Sequence, residues 1–431
     1  VQGLKLTGID LAINRLSFSF CASTFLRRLS LRTFQISLTL FIIVCSLQPG
    51  RAAATVTVKN ELDMARPSQT IDLKWSDVAA ALPDVKPDRV VVTDSDGKQV
   101  VAQPIWLQPS KKKPADEFVF QADFAPNQTR SFTLAAGVPA PYDPKVYGRW
   151  VPERHDDFAW ENDRIAFRSY GPELEKVEPA CSGVDVWPKR TRSLIVNKWY
   201  QLAQSINDGY YHTDHGDGLD DYKVGHGQGC GGTAILLDGK RLTTGIKGWK
   251  TQRVLANGPI RLVFELTYDP IDVDGVNVSE TKRITLDAGQ NLNHYQSTFS
   301  SDKPIDNLQV MSGIGEHRDR TFEKDFQKDA GLMTYWDPGD APGEKRPAPN
   351  TAPTGYVGAA VVMVPAQVRD TLELDGQMEM VTKAMPGEPV SFWAGAGWDR
   401  SGDFKNYDDW KQYVGSFAKC IASPLTVSIS K

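Results

Sequence analysis

The chain has 431 residues, long enough for one large β domain or two domains with substantial buried cores, which excludes a peptide-like module. Its formal net charge is −4, but residues 1–54 hold six Lys or Arg and one Asp, so the remainder carries 43 basic against 52 acidic residues. That balance excludes the basic field that nucleic-acid binding requires.

Residues 1–54 read as a leader. Arg27, Arg28 and Arg32 precede an apolar run at 36–45, and Ala52, Ala53 and Ala54 supply small residues for cleavage near Ala54. The expectation is a secreted or periplasmic protein that begins near Thr55. The apolar run is short for a membrane span, so the mature chain is expected to have no stable one. After the leader only Cys181, Cys230 and Cys420 remain, read as one disulfide and one buried thiol.

From Thr55 the apolar residues alternate over short stretches at 55–59, 89–93, 100–105, 117–122 and 131–134. This period of two predicts antiparallel strands with one wetted face, and a helix interrupts them at 75–82. Residues 55–138 are therefore expected to form a small β-sandwich module. The Pro-rich stretch at 139–144 marks a boundary. Strands resume at 164–168, 193–196, 261–268, 279–286, 359–364 and 425–429, with turns at 237–240 and 287–290 and one further helix at 407–417. The fold class is mostly β, and residues 139–431 are expected to form a large antiparallel sandwich that carries the active site. Five Pro and two Gly at 337–354 predict an irregular loop.

The densest functional stretch is 210–223, with two His, four Asp, three Tyr and one Lys in 14 positions. It lacks the hydrophobic period of a core element, and polar loops on rigid scaffolds often carry function. Three readings compete. In acid–base catalysis His212 or His215 is the base, Tyr211 or Tyr222 the proton donor, and Arg190 or Lys223 neutralises a substrate carboxylate. In a metal site, Asp214, Asp217, Asp220 and Asp221 offer hard oxygens suited to calcium, while His212, His215 and His226 would suit zinc, although the spacing matches neither a calcium-loop nor a zinc pattern. In a structural reading, the acidic turn holds itself by side-chain to backbone hydrogen bonds.

Around this loop, Trp160 with Glu161, Lys189 with Trp187, and Trp199 have the mixed aromatic and polar character of a sugar-binding surface, against the plain alternative of buried rings and strand ends. His294 follows a predicted strand and turn and joins the substrate-binding candidates. Cys230 stands among glycines with no identifiable base.

The segments DFAWENDRIAFRSYGP at 157–172, GVDVWPKR at 183–190, YHTDHGDGLDDYKVG at 211–225 and ETKRITLDAG at 280–289 resemble the DUF4861 family of bacterial proteins. The resemblance implies a secreted protein of pectin and uronate-glycan degradation systems, with a galactose-mutarotase-like supersandwich. It makes an acidic oligosaccharide or polysaccharide the expected partner. Cys230 stands where similar proteins carry a small residue, which argues against a thiol mechanism. The expected activity is β-elimination on uronate-containing oligosaccharides. The alternatives are hydrolysis of the same substrates, in which Asp214 and Asp217 serve as the carboxylates, and glycan binding without catalysis.

Overall fold

The computed structural model describes residues 53–108, 114–177, 183–317, 321–339 and 354–431. Apart from Ala53 and Ala54, the expected leader lies outside the described residues, as do Cys181 and most of the loop at 337–354.

Alternation places the N-terminal strands as expected. Ala53–Lys59 buries Ala54, Val56 and Val58 and turns the intervening residues outward. It pairs with Thr129–Ala136 and with the last strand of the chain, Thr426–Ser430, in a five-stranded antiparallel sheet. A three-stranded sheet of Arg66–Lys74, Glu117–Phe124 and Ala102–Ile105 packs on it. Phe120 and Phe132 meet edge to face between the two sheets, with centroids 4.9 Å apart. The C-terminus thus completes the sheet that the N-terminal strands begin.

The larger sandwich opposes a nine-stranded antiparallel sheet to a layer made of a four-stranded and a five-stranded sheet. Phe158, Trp160 and Phe167 from the four-stranded sheet, and Ile314, Met378 and Met380 from the five-stranded one, share one core with Phe264, Tyr295 and Phe392 of the nine-stranded sheet. One parallel bridge, Val184 to Gly229, joins the two smaller sheets edge to edge. Gly229 has φ +60°, and a Cβ there would lie 2.2 Å from the Val184 carbonyl oxygen. Only glycine permits this closeness.

Among the described residues, three α-helices cover the outer faces. Trp75–Ala81 (α1) lies where the sequence predicts a helix, and Tyr407–Ala422 (α3) starts where expected but runs five residues further. Asn406 caps α3 by accepting from the Asp409 amide, and Tyr407, Trp410 and Val414 bury themselves against the outer face of the nine-stranded sheet. The predicted strand at 193–196 is wrong. Val196–Ser205 is a helix (α2), whose Val196, Trp199, Tyr200 and Ala203 form an apolar stripe at helical spacing. The buried Glu161 carboxylate decides its start, accepting from the amides of Ile195 at 2.8 Å and Val196 at 2.7 Å. Those amides would otherwise have no partner.

Gly229→Ala is expected to destabilise the protein by about 2 kcal/mol or more, since it adds backbone strain to a close contact. Thermal unfolding of the variant beside Gly225→Ala, where a Cβ meets nothing within 4 Å, isolates the contact from the strain of positive φ.

Candidate active site

Ile165–Ser169 is an inner strand of the four-stranded sheet, and its Arg168 points toward α2 into a ring of carboxylates. Its guanidinium reaches Asp185 at 2.6 Å, Asp220 at 2.9 Å and Asp157 at 3.8 Å, and all four side chains are buried. Burial raises Asp185 to about 7, and Asp157 and Asp220 to about 6, against the pull of Arg168. Trp187 and Tyr211 stack with centroids 5.1 Å apart, and the guanidinium lies 5.0 Å from the Trp187 ring. The start and middle of the His- and Asp-rich loop are thereby fixed to the sheet at Tyr211 and Asp220.

Beyond Asp220 the loop crosses to the five-stranded sheet. Tyr222 is buried edge-on to His317, and its hydroxyl has no hydrogen-bond partner among the described residues. Burial holds that phenol well above its ordinary pKa, so it stays protonated. His317 Nε2 donates to the Lys223 carbonyl at 2.7 Å, while Nδ1 meets Asp337 at 2.5 Å. Both ring nitrogens are therefore engaged, and His317 acts as a brace rather than a base. Its amide donates to the Tyr335 hydroxyl at 3.0 Å, which fixes the brace to the nine-stranded sheet.

This arrangement opens a cavity of about 390 Å³ lined by Lys223, His226, Arg241, Glu316, His317 and Gln377. Lys223 and His226 are exposed. Gly225 and Gly229 turn the backbone with φ +57° and +60°, and Gly227 packs so closely on the Gln377 amide that a Cβ would come within 2.7 Å. The Gln377 side chain accepts from the Gln228 amide at 2.9 Å, and Gln228 in turn accepts from Arg241 at 3.3 Å. Glu316 is neutralised by Lys324 at 2.5 Å, and exposed Asp375 also lines the cavity. Beneath it Glu379 is buried, and burial lifts its carboxyl to about 8. The cavity thus joins two cations to one histidine, His226, that has no hydrogen-bond partner among the described residues. Such a group can anchor a carboxylate and accept a proton.

A family model described as "Domain of unknown function (DUF4861)" matches residues 58–427. The chain belongs to the DUF4861 family. A curated relative named "Uncharacterized protein P7", from Formosa agariphila, is 32% identical over 385 residues, covering 87% of this chain and 93% of that protein. Among solved structures, an α-mannosidase from Enterococcus faecalis V583 superposes with TM-score 0.47 at 9% identity, covering 88% of this chain and 46% of that one. A glycosyl hydrolase family 38 protein from Enterococcus faecalis gives 0.45 at 9%, covering 88% and 48%. The chain spans about half the length of either structure.

In this DUF4861 member, several candidates read from the sequence have other work. Trp160, Trp187 and Trp199 are core rings with no face left for a sugar, and Trp160 donates to Asn293 at 2.8 Å. Glu161 and Lys189 form a fully buried ion pair at 2.6 Å that holds the start of α2, and burial lowers the Lys189 pKa. Tyr211 is buried, and its hydroxyl faces Arg154 and Arg168 at 3.4 and 3.5 Å, so it cannot protonate a leaving group. Asp214 pairs with Arg190 at 2.5 Å and accepts from the Gly216 amide, and Asp217 pairs with Lys198. Arg190, half-exposed, also lies 5.1 Å from the Trp398 ring. His215 is exposed and stacks on Tyr210 at 4.1 Å. His212 is half-buried, its Nδ1 3.4 Å from the Asp220 carbonyl oxygen, and burial followed by Arg168 lowers its pKa.

The suggested calcium ligands do not converge. Asp217 faces Lys198, Asp220 faces Arg168, and Asp221 packs under Gly339, where a Cβ would lie 1.7 Å from its Oδ2. Among the described residues no three His, Cys, Asp or Glu side chains form a metal cluster. Cys230 is buried against the Gly395 carbonyl and pushed up to about 12, which makes it inert, and Cys230 and Cys420 are free thiols. His294 lies on the opposite face of the nine-stranded sheet, stacked on Trp393.

Arg241 and the His317 brace were not among the site residues read from the sequence, and His226 was read there only as a zinc candidate. The alternation of Gly225, Gly227 and Gly229 about His226 was the available signal.

The raised carboxyls around Arg168 set a pH dependence. Their folded pKa values exceed the ordinary carboxylate range, so their contribution is full below about pH 4 and is lost as pH rises through 6 to 7. Arg168→Leu is expected to cost about 3–5 kcal/mol at pH 8, where it strands buried charges, and clearly less at pH 5. Thermal unfolding at the two pH values checks this, and an equal loss at both contradicts it.

Proposed function

We propose that this protein is an enzyme that acts on uronate-containing oligosaccharides by β-elimination at the Lys223–His226–Arg241 cavity. The observation that carries the reading is the joining of Lys223 and Arg241 with the unpartnered imidazole of His226 in one pocket. In the proposed step Lys223 and Arg241 bind the uronate carboxylate and hold the charge that develops on it. His226 takes the proton from the carbon next to the carboxylate. The C–O bond to the neighbouring sugar at the β carbon breaks as the C=C bond forms, and the leaving oxygen takes a proton from water. Tyr222 lies in the layer behind the cavity with its hydroxyl buried, so it backs the site rather than protonating the leaving group.

Elimination is favoured over hydrolysis at Asp214 and Asp217 because each of those carboxylates is already held by a cation. Export through the leader at 1–54 is part of the same proposal. An extracellular degradation step would need it.

Incubation of the purified protein with pectic, rhamnogalacturonan, alginate and glucuronan oligosaccharides is expected to yield a product that absorbs in the near ultraviolet. His226→Ala should lower its rate by about 10² to 10⁴, whereas His212→Ala should leave it within about tenfold. Products heavier by water without new absorbance, or full activity in His226→Ala, contradict the proposal.

A further inference from the structure

A second cavity, of about 990 Å³, lies between the three-stranded sheet, α3 and the outer face of the nine-stranded sheet. We propose that it is a separate binding site for a neutral oligosaccharide. Its volume is at the upper end of the range for small-ligand sites.

Strand register builds its floor. Thr285 pairs with His294, and His294 pairs with Trp393, so three adjacent strands present these side chains in one row. Two residues along, Arg283 pairs with Gln296 in a parallel row on the same face. The row from Thr285 to Trp393 spans two strand spacings, roughly 10 Å. His294 and Trp393 stack at 4.5 Å with only 10° between their planes. The stacked pair sets aromatic edges beside hydrogen-bonding groups, a combination that suits the apolar C–H surface and hydroxylated rim of a sugar ring. Burial lowers His294 to about 4, so its imidazole is neutral near pH 7, and its buried Nε2 has no hydrogen-bond partner among the described residues.

The charge arrangement selects against an acidic ligand. Arg261 is held by Asp287 at 2.7 Å and also by Asp72, and Arg283 is held by Glu265 at 2.7 Å. Arg66 donates to Gln69 and to the Ser423 carbonyl. The lining counts four Lys or Arg against five Asp or Glu, so no net positive field remains for a carboxylate. Lys405 is the one lining cation without an ion-pair partner among the described residues, and the other lining groups without a hydrogen-bond partner, such as Thr285, His294 Nε2, Gln296, Gln412 and the Trp393 indole, are uncharged. In this respect the cavity is the opposite of the one at Lys223 and Arg241.

The test is titration calorimetry of the full chain with galacto-, xylo-, cello- and malto-tetraose, with tetragalacturonate as the acidic counterpart. At least one neutral tetrasaccharide is expected to bind. Gln296→Ala and Thr285→Ala should each weaken it by about tenfold, the loss of one hydrogen bond. Lys223→Ala should leave it unchanged, which separates this site from the proposed active site. Thermal unfolding confirms that the variants remain folded, and Trp393→Phe supplies a further variant that keeps an aromatic ring. The inference is overturned if no neutral tetrasaccharide binds at millimolar concentration, if binding survives both substitutions, if Lys223→Ala abolishes it, or if only tetragalacturonate binds.

Discussion

The buried Arg168 is the constraint on which the site depends. It leaves one strand and gathers carboxylates from two neighbouring strands and from a distant loop, through Asp157, Asp185 and Asp220. Taking these groups out of water is costly, and their mutual attraction is a poor source of net stability. What the cluster does provide is position. Once Asp220 is fixed, the next residues have one course, with Asp221 under Gly339, Tyr222 against His317, and the Lys223 carbonyl on the His317 ring.

The path ends at Gly229, where the backbone bridges to Val184 and joins the two smaller sheets. Between these anchors only residues 223–228 are left to line the cavity. Gln377 supports them from the five-stranded sheet, and the His317–Asp337 pair braces them from the side. Rigid strands therefore position the exposed Lys223 and His226 through a short, glycine-rich stretch, the arrangement expected where precise placement matters. The outer face of the nine-stranded sheet carries a different surface, where a row of neutral groups lies among ion-paired arginines.

Much of the fold was legible from local patterns. Val276–Asp287 alternates buried and less buried residues almost without fault, as a strand with one wetted face must. Helix α2 was not legible, because Leu194, Ile195 and Val196 have β propensity and the cap that starts the helix is supplied by Glu161, 34 residues earlier. Aromatic residues misled in a related way. Trp160, Trp187 and Trp199 have the composition of a sugar platform, but the sequence does not say which rings a large β core will absorb. Of the site, the loop was visible as a dense polar stretch and Lys223 was named from it. The convergence of Arg241 and His317 on that loop was not visible, since it arises from the pairing of strands far apart in the chain. The partners of the loop's first half were hidden for the same reason, since a pairing such as Lys198 with Asp217 is fixed by tertiary packing.

The central claim is that the working site lies at Lys223, His226 and Arg241 and not at His212 and Asp214. Its most direct test is a crystal structure of His226→Ala bound to trigalacturonate. The account predicts a sugar carboxylate between Lys223 and Arg241, with the carbon that bears the acidic proton facing position 226. A ligand bound against His212 and Asp214 instead would contradict it.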